Sequence, residues 1–270
     1  MSDILGRCPE KFDRLITYGE SDQQFAQLRS PADDGPHPLL FVIHGGFWQN
    51  RYDLSHISHL CAALTDIGFV TCSLEYRRIG DRGGGWPGTF LDVSLAVDRI
   101  LEGVSSNPRI DLTRIGVIGH SAGGHLALWL ACRNNVPRSS PIHYNGRNHV
   151  LRAVSLAGVS DLREAWGEKL GSGAVSRFIG GSPDQFPERY EAGSPIELLP
   201  SGADLIVVHG AGDDVVPVSQ SERFIEKAER LGDHPRLVRL DGVGHFELID
   251  PESDAWASVE RAVLSVFNIR

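Results

Sequence analysis

Gly119-His120-Ser121-Ala122-Gly123 is the stretch that decides the reading of this chain. It follows Arg114-Ile115-Gly116-Val117-Ile118, a short apolar run of β type. It precedes Gly124-His125-Leu126-Ala127-Leu128-Trp129-Leu130-Ala131-Cys132, which is rich in helix formers. Strand, tight turn and helix around G-x-S-x-G is the context of a nucleophile elbow. Glycine accepts the unusual φ/ψ that a sharp turn needs. Small residues also let the helix pack back on the strand. The turn is expected to lift the Ser121 hydroxyl out at a helix N-terminus, where backbone N–H groups face any developing negative charge.

Outward from the elbow, apolar runs and helical spacings alternate. Phe12–Thr17 and Gln24–Leu28 read as two short antiparallel strands. Leu39–Ile43, Phe69–Leu74, Leu151–Leu156, Leu205–Val208 and Leu237–Leu240 read as buried strands. Between them, Ile57, Leu60, Cys61 and Leu64 fall on one helical face, as do Val97, Ile100, Leu101 and Val104 within Phe90–Val104. Phe224, Ile225, Ala228 and Leu231 mark a later helix, and Trp256, Val259, Val263 and Val266 a closing one. The alternation predicts an α/β protein with a mostly parallel twisted sheet of about eight strands, covered by helices on both faces. One domain is expected over residues 1–270. Arg163–Leu199, rich in Gly, Ser and Pro, reads as a long irregular insertion placed to cap an active site.

A serine hydroxyl needs a base to take its proton, and the base needs an orienting carboxylate. Two later strand ends offer them. Leu205–Val208 runs into His209-Gly210-Ala211-Gly212-Asp213-Asp214-Val215-Val216-Pro217. Leu237–Leu240 runs into Asp241-Gly242-Val243-Gly244-His245-Phe246. Ligands of open α/β sheets bind at this carboxyl edge. Asp213 is the expected acid, with Asp214 its competitor, and His245 the expected base. His120 and His125 are not placed to serve Ser121, and His209 reads as a structural residue of the acid loop. An oxyanion hole needs two backbone donors. Ala122 N–H is one; Gly46 and Phe47, in His44-Gly45-Gly46-Phe47-Trp48 after the first buried strand, supply the other, with Gly45 also possible.

These residues together resemble the α/β-hydrolase superfamily over nearly the whole chain. His44-Gly45-Gly46-Phe47-Trp48 is similar to the H-G-G-x-W loop of kynurenine formamidases (arylformamidases) and related bacterial esterases. Phe47 departs from the H-G-G-G of hormone-sensitive-lipase-like esterases. His209–Pro217 is similar to the acid loop of prolyl-oligopeptidase-type peptidases. The resemblance implies a serine hydrolase that cleaves a small-molecule ester or amide through an acyl-enzyme, with no cofactor and no metal. A small peptidase, an acyltransferase or lyase using the same serine, and a non-catalytic binding protein on the same fold are the rival readings.

Composition narrows the partners. A net charge of −9 over 270 residues disfavours nucleic acid and anionic membrane surfaces. Cys8, Cys61, Cys72 and Cys132 form no C-x-x-C pair, so zinc and disulfide readings are weak. The N-terminal Met-Ser-Asp-Ile-Leu-Gly-Arg-Cys lacks the apolar core of a signal peptide, and no run suffices for a membrane span, so a cytoplasmic location is expected. For substrate contacts, Trp48, Tyr76 and Trp86 lie in loops after strands and suggest an aromatic or apolar small molecule. Arg77 and Arg78 could meet a substrate carboxylate, but internal salt bridges are the favoured use.

Overall fold

The computed structural model describes residues 4–269. Met1–Asp3 of the N-terminal stretch, and Arg270, lie outside the described residues. The strands are β1 (Arg14–Thr17), β2 (Phe25–Arg29), β3 (His37–Ile43), β4 (Val70–Leu74), β5 (Ile110–His120), β6 (Arg152–Leu156), β7 (Asp204–Gly210) and β8 (Arg236–Leu240). They form one sheet in the order β1-β2-β4-β3-β5-β6-β7-β8. Pairings β1–β2 and β2–β4 are antiparallel and the other five are parallel. This is the α/β-hydrolase architecture.

Side-chain alternation along each strand builds two cores. In β3, Leu39, Phe41 and Ile43 enter one core while Leu40 and Val42 enter the other. Leu205 and Val207 of β7 are likewise opposed to Ile206 and Val208. Both faces are apolar because both are covered, which is why these strands read as continuous hydrophobic runs. The first core is covered by α2 (Gly88–Val104), α3 (Ala122–Cys132) and α7 (Ser219–Arg230), through Phe90, Leu126, Trp129 and Phe224. The second is covered by α1 (Ser58–Asp66) and α8 (Trp256–Val266), through Leu60, Leu64, Val259 and Val263. Every residue of α3 is buried, the state of a helix apolar all round.

The segment between β6 and β7 differs from its expected irregularity. It holds α4 (Leu162–Gly167), α5 (Leu170–Ile179) and α6 (Pro187–Gly193). Local signals explain these short helices. Asp161 caps α4 by accepting from the Arg163 and Glu164 N–H groups, and Pro187 opens α6. Their brevity hid them from a periodicity reading. The start of α5 is left-handed, with positive φ at Gly171, Ser172 and Gly173. Among the described residues no helix is long and apolar enough to cross a membrane.

Candidate active site

β3 lies between β4 and β5, so the chain reverses its direction of winding there and opens a crevice at the strand ends. Ser121 stands at that edge, directly after β5. Its backbone has φ 57° and ψ −119°, a conformation L-residues avoid. The surroundings hold it there: the Ser121 N–H donates to the Leu156 carbonyl at 2.8 Å, and the His125 N–H donates to the Ser121 carbonyl at 3.0 Å. Two glycines permit the tight turn. A Cβ on Gly119 would fall 2.0 Å from the Gly123 carbonyl oxygen, and one on Gly123 would fall 2.1 Å from that of Ile43.

The loops after β7 and β8, neighbouring strands, bring Asp213 and His245 together. His245 Nδ1 is 2.6 Å from Asp213 Oδ2. An ionised carboxylate only accepts, so Nδ1 carries the proton and Nε2 is left as the basic nitrogen. The other carboxylate oxygen, Oδ1, accepts from the N–H groups of Val215 and Val216, both at 2.8 Å. Burial works against the Asp213 charge, but hydrogen bonds from His209 and His245, with the Val216 N–H, outweigh it and hold the carboxyl below the usual carboxylate range. His209 is fully buried, with Nε2 2.9 Å from the Val216 carbonyl and Nδ1 2.6 Å from Ser221 Oγ. It shapes the loop that carries Asp213. Asp214 is exposed.

His120 reaches the same place from the elbow. Its Nε2 is 3.0 Å from the His245 carbonyl oxygen and so donates to it, and the two rings lie 4.5 Å apart. Burial foremost, with His245 and His56 nearby, drives the His120 pKa well down, so the ring is neutral. His125 instead faces away, with Nε2 2.8 Å from the Gly193 carbonyl.

The loop after β3 is strained as well. Gly46, Phe47 and Trp48 have φ of 104°, 48° and 55°. A buried polar cluster braces it. Glu75 Oε1 is 2.9 Å from His44 Nε2, accepts from the Tyr76 N–H at 3.0 Å and pairs with Arg78 at 3.0 Å, while Oε2 accepts from the Leu54 N–H at 3.1 Å. Arg78 also donates to the Tyr52 carbonyl. The N–H groups of Gly46 and Phe47 have no acceptor among the described residues. Ala122 opens α3, where the first N–H groups have no intrahelical acceptor.

A cavity of about 360 Å³ joins these parts, lined by Gly46, Phe47, His120, Ser121 and His245. Its remaining lining departs from the expected substrate contacts. Trp48 is fully buried and stacks on Phe178 of α5, ring centroids 4.4 Å apart. Tyr76 is fully buried, stacks on His44 and donates its hydroxyl to the His44 carbonyl at 2.9 Å. Trp86 packs edge-on against Phe90 and faces a different groove with Arg189 and Pro137. None of the three lines the Ser121 cavity. Large aromatics after strands were drawn into packing because they bury the most apolar area. Arg77 and Arg78 are also engaged internally. Arg77 grips Asp92 with Nε and a terminal nitrogen at 2.8 and 2.6 Å.

Residues the sequence did not single out take their place: Gln49, Arg51, Tyr52 and His56 after the β3 loop, Gly171, Ser172 and Arg177 of α5, then Val215 and Phe246 beside Asp213 and His245. Burial first, then His44, lowers the pKa of His56 to about 3. The run Gln49–His56 directly continues the glycine loop, a signal that could have marked it. Nothing local to Arg177 announces its position.

Comparison with known proteins agrees with this architecture. The truncated form of a carbohydrate esterase from gut microbiota superposes with a TM-score of 0.78 at 20% identity, covering 97% of this chain and 98% of that one. Esterase LipC of Mycobacterium tuberculosis is 28% identical over 250 residues, 88% of this chain and 60% of LipC. The chain thus spans about three-fifths of that relative's length. Kynurenine formamidase of Drosophila melanogaster is 23% identical over 261 residues, 93% of this chain and 80% of that enzyme. Residues 28–228 match the BD-FAE family, and the chain belongs to that family.

Proposed function

We propose that this protein is a serine esterase acting on small carboxylic esters. The observation that carries the reading is the shared cavity: Ser121, held in a left-handed turn at the head of α3, lines it together with His245, whose Nδ1 is bonded to Asp213. In this reading His245 Nε2 takes the Ser121 proton as Oγ attacks the ester carbonyl. Asp213 orients the imidazole and stabilises its positive form. The N–H groups of Ala122 and of Gly46 or Phe47 bind the oxyanion, a contribution of roughly 10²–10³ in rate per donor. The imidazolium then protonates the leaving alcohol. Water, deprotonated by the same histidine, releases the acid and restores the serine. The esterase names among the relatives favour an ester over an amide.

The test is hydrolysis of p-nitrophenyl acetate, p-nitrophenyl butyrate and N-formylkynurenine by the wild-type protein and by Ser121→Ala. Ester turnover lost by about 10⁴-fold or more in the variant is expected. Turnover of no ester by the wild type, or full activity in Ser121→Ala, defeats the reading. Serine-dependent cleavage of N-formylkynurenine at a rate above that of the esters replaces it with an arylformamidase.

A further inference from the structure

The chain carries a net charge of −9, yet its Ser121 cavity has the opposite character. Among the described residues that line it there are two arginines, Arg51 and Arg177, and no aspartate or glutamate. Neither arginine has a carboxylate partner among the described residues. This contrasts with Arg77 and Arg78 close by, which are both neutralised internally.

Both free guanidinium groups are held in place by groups that leave their charge unspent. Arg177 donates from one terminal nitrogen to the Ser172 carbonyl at 2.9 Å, and its other terminal nitrogen lies 3.5 Å from the Gly171 carbonyl. These carbonyls belong to the left-handed turn that opens α5, and Gly171 and Ser172 themselves line the cavity. That turn closes on the loop after β3: a Cβ on Gly171 would meet the Phe47 ring at 2.6 Å. Arg51 sits over the Tyr52 ring, 4.8 Å from its centroid, and Tyr52 is another wall of the cavity. Arg177 therefore closes the left-handed turn through these carbonyls and, exposed at the cavity wall, keeps a positive charge that no carboxylate neutralises.

Resting on the esterase reading, we propose that the site selects esters carrying a carboxylate away from the scissile bond, bound by Arg177 and Arg51. Such a substrate is either a half-ester of a dicarboxylic acid or an ester of a carboxylate-bearing alcohol or phenol. The two share the recognised group and differ in the side of the ester on which it lies. Phe47, Val215 and Phe246 supply the apolar wall for the intervening atoms. A planar fork matches a carboxylate with two parallel hydrogen bonds, which a neutral ester or amide end cannot make with the same strength.

The experiment compares kcat/KM for matched pairs. On the acyl side, the mono-4-nitrophenyl ester of adipic acid is set against its methyl-capped diester, with nitrophenol release as the readout. On the leaving-group side, 4-acetoxybenzoate is set against 4-acetoxybenzamide. The expected result is a preference of roughly tenfold for the anionic member in one arm, the arm identifying which side of the ester carries the charge. The preference should shrink as salt is raised to about 0.5 M. It should fall several-fold in Arg177→Gln and approach one in the Arg51→Gln/Arg177→Gln double variant. A ratio at or below one in both arms, or a ratio unchanged in the double variant, overturns the inference while leaving the esterase reading intact. Absence of Ser121-dependent turnover of every ester, neutral ones included, overturns both.

Discussion

His245 Nδ1 lies 2.6 Å from Asp213 Oδ2, and Asp213 is fully buried at that contact while Asp214 beside it is exposed. The two aspartates are neighbours in sequence and opposites in environment. Asp213 Oδ1 is tied to two backbone N–H groups of its own loop, so the carboxylate cannot swing away from the histidine. Asp213→Asn presents an amide to a histidine that expects an acceptor and favours the wrong tautomer. The expected loss in kcat on p-nitrophenyl butyrate is roughly 10³–10⁴-fold, against less than about twofold for Asp214→Asn. A larger loss in Asp214→Asn would move the acid role to that residue.

Glu75 is the hidden brace of the site. It is buried and holds His44, Arg78 and the backbone of Tyr76 and Leu54 at once. Glu75→Gln removes the negative charge from a nearly buried arginine and replaces an acceptor oxygen with a donor. Breaking a buried pair on one side costs about 3–5 kcal/mol. Urea unfolding should show that loss, and kcat should fall as the loop carrying Gly46 and Phe47 loosens. An unfolding midpoint equal to that of the wild type would show that the cluster does not brace the loop.

Trp48 belongs to the core. Its ring stacks on Phe178 and meets His125 edge-on, joining the loop after β3 to α5. Trp48→Ala should therefore cost about 3–5 kcal/mol in stability. Trp48→Phe should cost less, because the indole Nε1 has no acceptor among the described residues and nothing is lost with it. The check is the urea midpoint of both variants beside KM for a neutral ester. A raised KM without loss of stability in Trp48→Ala would return this residue to the role of substrate contact.

These outcomes trace what could be read from sequence. The sheet was legible because β3 to β7 are buried on both faces and so carry long apolar runs. The convergence of Ser121, Asp213 and His245 on one edge was legible because each follows a strand of the same parallel set in a loop with glycine beside it; their roles belong to the proposed function. The cavity wall was not. Arg51, Tyr52, His56 and Arg177 reach it through the folding of two segments distant in sequence, the extension of the glycine loop and the left-handed start of α5. Trp48, Tyr76 and Trp86 misled for one physical reason. A large aromatic near a site satisfies a core as readily as a ligand, and these three had cores within reach.

Two buried histidines, His120 and His125, and the half-buried His56 make the fold sensitive to acid. Burial is the first cause in each: it lowers His56 to about 3, His125 to about 4 and His120 well below its ordinary value near 6.5. In the unfolded chain all three titrate near 6.5. Between that value and their folded pKa values the unfolded state binds more protons than the folded one. Stability is thus fully present above about pH 6.5 and falls as the pH drops through this window. Each group contributes a slope of about 1.4 kcal/mol per pH unit at most, so the three together give an upper bound of about 4. Urea unfolding at pH 7.5, 6.5 and 5.5 should show little change over the first interval and a loss of several kcal/mol over the second. His125→Gln, which keeps a donor for the Gly193 carbonyl without a titrating ring, should flatten the slope by about a third. A stability independent of pH from 7.5 to 5.5 would mean that these rings take up protons in the folded state as freely as in the unfolded one.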